Sequence, residues 1–171
     1  MGNLALANHF LIAMPDMADP YFSATLSLIC EHNPDGAMGF IVNRPLDIPA
    51  AELFLQQDIE FDPDSDLARL PLHMGGPVQQ EQGFILHSGE QDWDTTLRVS
   101  NEFKITSSRD IIADIAMGQG PDKFIILLGY AGWGDGQLEE EILANAWLTS
   151  ESDPEIVFST PIDQRWQAAA T

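Results

Sequence analysis

The chain has 171 residues, 44% of them hydrophobic, and sets seven Lys plus Arg against 27 Asp plus Glu for a formal net charge of -20. That length suits one globular domain with its own core. The charge repels nucleic-acid phosphates and anionic lipid surfaces rather than releasing their counterions. The seven cations (Arg44, Arg69, Arg98, Lys104, Arg109, Lys123 and Arg165) are scattered along the chain, so no basic patch offsets this field and direct nucleic-acid binding is disfavoured.

The lone cysteine, Cys30, excludes an internal disulfide and a thiolate-rich zinc cage, and favours a reducing compartment. Residues 4–14 are apolar and Ala5-Leu6-Ala7 has the look of a cleavage site. However, no Lys or Arg precedes Arg44 and Asn8-His9 interrupts the run, which argues against a secretory signal. Leu6 stands where a myristoylation signal needs Ser or Thr, and no apolar stretch reaches the roughly 20 residues of a membrane span. The expectation is a soluble cytoplasmic protein with no membrane partner.

In chain order, residues 9–14 read as a buried strand stopped by Pro15, with a loop over 15–20. Residues 24–32 and 37–43 read as the strands of a hairpin around the turn Asn33-Pro34-Asp35-Gly36. Pro45 breaks the second strand, and Pro49 precedes a short helix over 50–57. The acidic stretch 58–66 reads as a solvated loop. Short strands are expected over 72–74, 83–88, 97–99 and 103–106. Ser107-Ser108-Arg109-Asp110 has capping-box form before a helix carrying Ile111, Ile112, Ile115 and Ala116. Residues 123–130 form an apolar strand, residues 129–136 a glycine-rich turn, and 137–145 a helix with Glu139 to Glu141 in its first turn. A strand over 156–158 and a short helix near Trp166 complete the chain. The fold class is α+β: a single domain over residues 1–171 with a mixed, curved sheet and a few flanking helices.

Three segments, 30–45, 75–87 and 129–141, are expected to converge in one polar site. Residues two apart on a strand share a face, so Cys30 and His32 would point together as the minimum of an activated thiol. The plainer alternative is a buried cysteine beside a hydrogen-bonded histidine. His32, His73, His87 and Cys30 show no zinc-ligand spacing. Asp62, Asp64 and Asp66 match the first calcium-loop positions, but Leu67 and His73 fall where glycine and glutamate are needed, so neither metal nor cofactor is expected.

The run from Gly129 to Gly136 has the setting of an anion-binding turn. Gln137 stands at the third-glycine position of a dinucleotide fingerprint, though, and Asp135 with three glutamates would repel phosphate. Arg44 is expected to hold a carboxylate, either a ligand's or one from Glu139 to Glu141. The remaining ligand-binding candidates are Asn43, Gly75, Gly76, His87, Trp133 and Gln137.

The blocks Phe10-Leu-Ile-Ala-Met-Pro15, Ile29-Cys-Glu-His-Asn33, Gly36-Ala-Met-Gly-Phe-Ile-Val-Asn-Arg-Pro45, Gly75-Gly-Pro77 with Gly83-Phe-Ile-Leu-His87, and Leu128-Gly-Tyr-Ala-Gly-Trp-Gly-Asp-Gly-Gln-Leu-Glu139, in this order, resemble the AlgH/YqgE family of small bacterial proteins. The resemblance implies an α+β domain of its own type in the bacterial cytoplasm. It carries a label of transcriptional regulation of alginate production and brings no agreed catalytic residues. With no helix-turn-helix pattern and an acidic charge, any such regulation is expected to be indirect. The leading expectation is a binding or regulatory module engaging a protein partner or small molecule through a pocket near Arg44, Gly75-Gly76-Pro77 and Trp133. The alternative is a thiol-dependent hydrolase or transferase using Cys30 and His32.

Overall fold

A computed structural model describes residues 6–15, 17 and 22–171; most of the loop read over 15–20 therefore lies outside the described residues. The strands are β1 (His9–Ala13), β2 (Leu26–Asn33), β3 (Gly36–Ile41), β4 (Pro45–Pro49), β5 (Pro71–Met74), β6 (Val78–His87), β7 (Thr96–Arg98), β8 (Lys104–Thr106), β9 (Phe124–Trp133) and β10 (Trp147–Glu151). The helices are α1 (Ala50–Gln56), α2 (Arg109–Ala116), α3 (Gln137–Leu143), α4 (Pro154–Phe158) and α5 (Arg165–Ala170). The architecture is α+β, with the strands in one curled sheet of order β10-β1-β2-β3-β9-β6-β8-β7. Every pairing on that path is antiparallel. β5 lies parallel to β9 and carries β4 on its other edge.

β9 is the spine. One side of it pairs with β6; the other pairs first with β5, at Leu127 and Leu128, and then with β3, from Ala131 to Trp133. At the change-over Gly75 donates its N–H to the Leu128 carbonyl while its own carbonyl accepts from Ile41. Three strands meet there with no room for side chains. A Cβ at Gly75 would lie 2.4 Å from the Gly129 carbonyl oxygen, and one at Gly76 would lie 2.1 Å from the Tyr130 carbonyl carbon. Gly129 itself sits at φ +75°, and its Cβ would meet the Gly76 carbonyl oxygen at 2.5 Å. The residues read from sequence as a turn, 129–133, are thus the second half of a strand; only Gly134 to Gly136 turn.

The sheet divides the apolar residues. On one face Phe10, Leu28, Phe40, Leu86, Phe103 and Leu127 pack together, with Phe158 and Trp166 against them. On the other, α1 and α2 bury Leu53, Phe54, Ile112 and Ile115 over Ile85 and Ile126. A third cluster of Leu11, Ile29, Ala131, Trp133, Leu138 and Trp147 lies under α3.

Four local expectations are corrected or completed. Residues 156–158 are helical, not a strand: the Asp153 side chain accepts from the Glu155 N–H and Pro154 occupies the first helical turn, a strong N-terminus signal. The sheet edge instead uses β10, Trp147–Glu151, which pairs with β1. The second hairpin strand does end ahead of Pro45, at Ile41, but Pro45 opens a further strand, β4, which the sequence reading lacked; proline is tolerated there because an edge position asks for few N–H donors. The capping box after Ser107 does not form: Ser108 stands at the N-cap position but its side chain makes no capping bond, its Oγ accepting the Thr95 N–H instead, while Asp110 accepts from the Asp94 and Ile111 N–H groups.

Gly118 supplies an internal control for the glycine junction, since it has φ +78° but nothing within 4 Å of its would-be Cβ. Gly118→Ala should lower the unfolding free energy by about 1–2 kcal/mol, the left-handed backbone cost alone, and Gly129→Ala by about 3 kcal/mol or more because a backbone clash adds to it. Equal denaturation midpoints for the two variants would contradict the junction as the source of the effect.

Candidate functional site

Trp133 ends β9 and is almost fully buried against Trp147, their rings edge-on at 6.2 Å. Phe22 closes the cluster, 6.3 Å from Trp133 and 5.6 Å from Trp147. Glu141 on α3 holds both indoles: its Oε1 accepts from Trp133 Nε1 at 3.0 Å and Trp147 Nε1 at 2.9 Å. Its Oε2 accepts from Gln137 Nε2 at 2.9 Å, and Gln137 Oε1 accepts the Gly134 N–H at 2.9 Å. The spacing of Gln137 and Glu141 on one helical face makes this chain possible. It fixes the turn, the helix start and two tryptophans with one carboxylate.

The hairpin of β2 and β3 packs beside this cluster. Gly36 is the contact point, since a Cβ there would lie 2.3 Å from the Trp133 carbonyl oxygen. Between them runs a shallow groove of about 240 Å³ lined by Glu31, Asn33, Asp35, Met38 and Trp133. Glu31 and Asp35 are exposed, as are Asp135 and Glu140 on the neighbouring turn and helix. The groove's lining combines the exposed carboxylates Glu31 and Asp35 with the apolar Ala37, Met38 and Trp133.

His32, between the lining residues Glu31 and Asn33, has a buried side chain and does not share a face with Cys30. The β2–β3 register slips between Ile29, opposite Gly39, and Glu31, opposite Met38, which makes Cys30 a bulged residue. Cys30 therefore packs with Leu28 and Phe40 on one face, while His32, opposite Ala37, lies on the face of Trp133 and Leu138. The expected thiol–imidazole pair does not form. Burial, with a smaller contribution from Glu31, pushes the Cys30 thiol far above its ordinary range. Its one polar contact among the described residues is a 3.9 Å approach to the Leu28 carbonyl. His32 Nδ1 accepts the Leu6 N–H at 3.0 Å, which leaves the proton on Nε2, 3.2 Å from Glu139 Oε2. The distance is within ion-pair range, but the alignment is not that of a hydrogen bond.

Arg44 and Asn43 act one step back from the groove. Arg44 Nη2 donates to the Ser23 carbonyl at 2.7 Å. Asn43 accepts the Leu26 N–H at 2.8 Å and donates to the Ala24 carbonyl at 3.0 Å. Together they clamp the turn from Phe22 to Thr25 and so place Phe22 on the tryptophans. The expected pairing of Arg44 with Glu139 to Glu141 is not made among the described residues, because Glu139 faces His32 and Glu141 holds the indoles. Gly75 and Gly76 are buried in the strand junction.

His87 lies elsewhere. It pairs with Phe124 at the far end of β9, nine residues from Trp133, or roughly 30 Å along an extended strand. There its Nε2 contacts Thr106 Oγ1 at 2.7 Å, its Nδ1 meets the Ser88 carbonyl at 3.1 Å, and burial lowers its pKa. The three segments do converge as neighbouring strands, but their side chains separate into a Trp133 end and a His87 end. Among the described residues no three His, Cys, Asp or Glu side chains gather where they could hold a metal. Sequence reasoning passed over Glu141 as one acid in a run of three, and Trp147, whose strand it did not anticipate.

Comparison with known proteins fits this architecture. The DUF179 family model, described as AlgH-like, matches residues 10–171. A UPF0301 protein of Pseudoalteromonas translucida is 44% identical over 98% of this chain and 90% of its own length. One from Nitrosococcus oceani is 52% identical over 95% of this chain and 87% of its own. The solution structure of the AlgH protein from Pseudomonas aeruginosa superposes with a TM-score of 0.86 at 43% identity, covering 99% of this chain and 89% of that one. The crystal structure of DIP2367 from Corynebacterium diphtheriae, 20% identical with a TM-score of 0.75 over 98% of this chain and 87% of its own, shares the fold. The protein is a small α+β domain built on a curled sheet. It belongs to the AlgH-like DUF179 family.

Two measurements check the site chemistry. Cys30 should resist alkylation in the native state from about pH 6 to pH 9 and react only on unfolding, since thiolate and access are both lacking. Second, burial and the neighbouring Arg165 charge push the His73 pKa down to about 4 against a smaller upward pull from the Ile126 backbone, and burial also lowers that of His87. Unfolded histidines bind protons that these folded ones refuse, so this stability is full above about pH 6.5 and is lost as pH falls toward 4. Urea melts across that window should show His73→Leu with a shallower pH slope than the parent.

Proposed function

We propose that this chain is a non-catalytic binding module whose Trp133 groove docks a protein carrying a basic segment, and that any influence on transcription runs through that partner. The observation that carries this reading is the double acceptor Glu141, which ties Trp133 of the groove lining to the neighbouring buried Trp147 before a partner arrives. A preformed aromatic floor lowers the ordering cost of binding, and a carboxylate rim steers a cationic partner. Glu31 and Asp35 line the groove, exposed Asp135 and Glu140 lie on the neighbouring turn and helix, and the overall charge of -20 reinforces them. The same charge opposes DNA. A thiol enzyme draws no support from this geometry, since Cys30 is buried on the opposite face from His32 with no base beside it.

The double variant Glu31→Lys/Asp35→Lys should lose, in affinity capture from the host bacterium, a salt-sensitive partner that the parent and the distant control Glu90→Lys both retain. Binding to purified partner should weaken at least about tenfold. Retention of the same partner by the double variant, or retardation of duplex DNA by the parent at low salt, would sink the reading.

A further inference from the structure

A cavity of about 210 Å³ lies at the Phe124 end of β9, between the sheet and the chain leading into α5. Its walls include Phe124, Phe158 and Ile162, and its polar groups are His73 and Arg165. Arg165 is only 5% exposed, yet it pairs with no carboxylate among the described residues, in a chain that has 27 acids and seven Lys plus Arg. Among the described residues its guanidinium is held by neutral acceptors alone. Nε donates to the Thr160 carbonyl at 3.0 Å, and Nη1 donates to the Val42 carbonyl at 2.6 Å and approaches His73 Nε2 at 3.4 Å. Nη2 has no partner among the described residues.

A guanidinium stays charged in a protein, and a buried charge without a counter-charge is costly. His73 does not compensate it. Arginine only donates, so His73 Nε2 accepts and the ring is neutral, neither cancelling the charge nor competing for an anion. Two backbone carbonyls meanwhile fix the guanidinium plane and leave Nη2 as the open, charge-assisted donor for a carboxylate oxygen. The apolar walls select the rest of the ligand. A dry cavity of about 150 Å³ accommodates a benzene ring, so this one has room for a ring-sized body as well as a carboxylate. The acidic surface outside disfavours polyanions.

We propose that this cavity is a binding site for a small monocarboxylate with an apolar body, its carboxylate on Arg165 and its body against Phe124, Phe158 and Ile162. The site stands apart from the Trp133 groove and does not rest on the function proposed for it.

Benzoate, the isosteric neutral benzamide and inorganic phosphate serve as probes, titrated into the full chain with amide NMR shifts as the readout. Benzoate should saturate shifts confined to residues around the cavity, with benzamide and phosphate each at least about tenfold weaker. Arg165→Lys should weaken benzoate by about tenfold, because an ammonium cannot hold the Thr160 and Val42 carbonyls and still present a fixed donor to the ligand. Since Arg165 also anchors the start of α5, a folded second variant is needed: Ile162→Glu places a carboxylate at the half-buried rim and should abolish benzoate binding with an unchanged circular dichroism spectrum. The proposal is overturned if benzoate gives no saturable shift to about 10 mM, if benzamide or phosphate binds as tightly, if the shifts map elsewhere, or if folded Ile162→Glu binds benzoate like the parent.

Discussion

The structure depends on one close backbone approach: Gly75 and Gly76 against Gly129 and Tyr130, where a side chain on any of the three glycines would collide with main chain. That contact lets β9 exchange β5 for β3 on the same edge without ending. A strand that stopped at Tyr130 would leave Trp133 on a loop. Because β9 continues, the tryptophan is instead held in the β3 ladder, and α3 starts from a fixed position with Glu141 facing the two indoles. Gly129 has a second effect. Ile125 and Leu127 face one side of the sheet, as does Tyr130, so the left-handed residue shifts the alternation by one and sends Ala131 and Trp133 to the other side.

The few polar side chains singled out from the hairpin are structural in the same sense. Among the described residues, Asn43 and Arg44 direct their donors to the carbonyls of the preceding turn rather than to a carboxylate, and the turn carries Phe22 onto Trp133. In a protein this acidic, most carboxylates face water, where pairing contributes little. Glu141 is different because it satisfies two indole N–H groups that would otherwise be buried without an acceptor.

The hairpin turn, the apolar spine, the helices at α1, α2 and α3, and the α+β class were legible because each depends on local chemistry: Asn-Pro-Asp-Gly, a run of β-branched and aliphatic residues, prolines and acids at helix starts. What the sequence concealed was parity. Cys30 and His32 differ by two, and only the bulge in the β2–β3 register, fixed by the neighbouring strand, puts them on opposite faces. The glycine run from 129 to 136 has turn composition throughout, yet its first half is strand, because the glycines serve close packing there. Ile156 to Phe158 has strand composition, but Asp153 and Pro154 set a helix ahead of it. The burial of Arg165 had no local signal: its acceptors are the Thr160 and Val42 carbonyls, the second 123 residues away in sequence.

Charge sets the two ends of β9 apart. At the Trp133 end the carboxylates are exposed and the groove is shallow, so their field acts at long range through water and is screened by salt. At the Phe124 end the single guanidinium is screened from solvent by Phe158 and Ile162 and from the acidic surface by burial, so its field acts at short range only. An overall charge of -20 therefore does not decide what each site prefers. The sign of the local group and its depth below the surface do, and the glycine junction, by keeping β9 continuous, holds the two environments on one rigid strand.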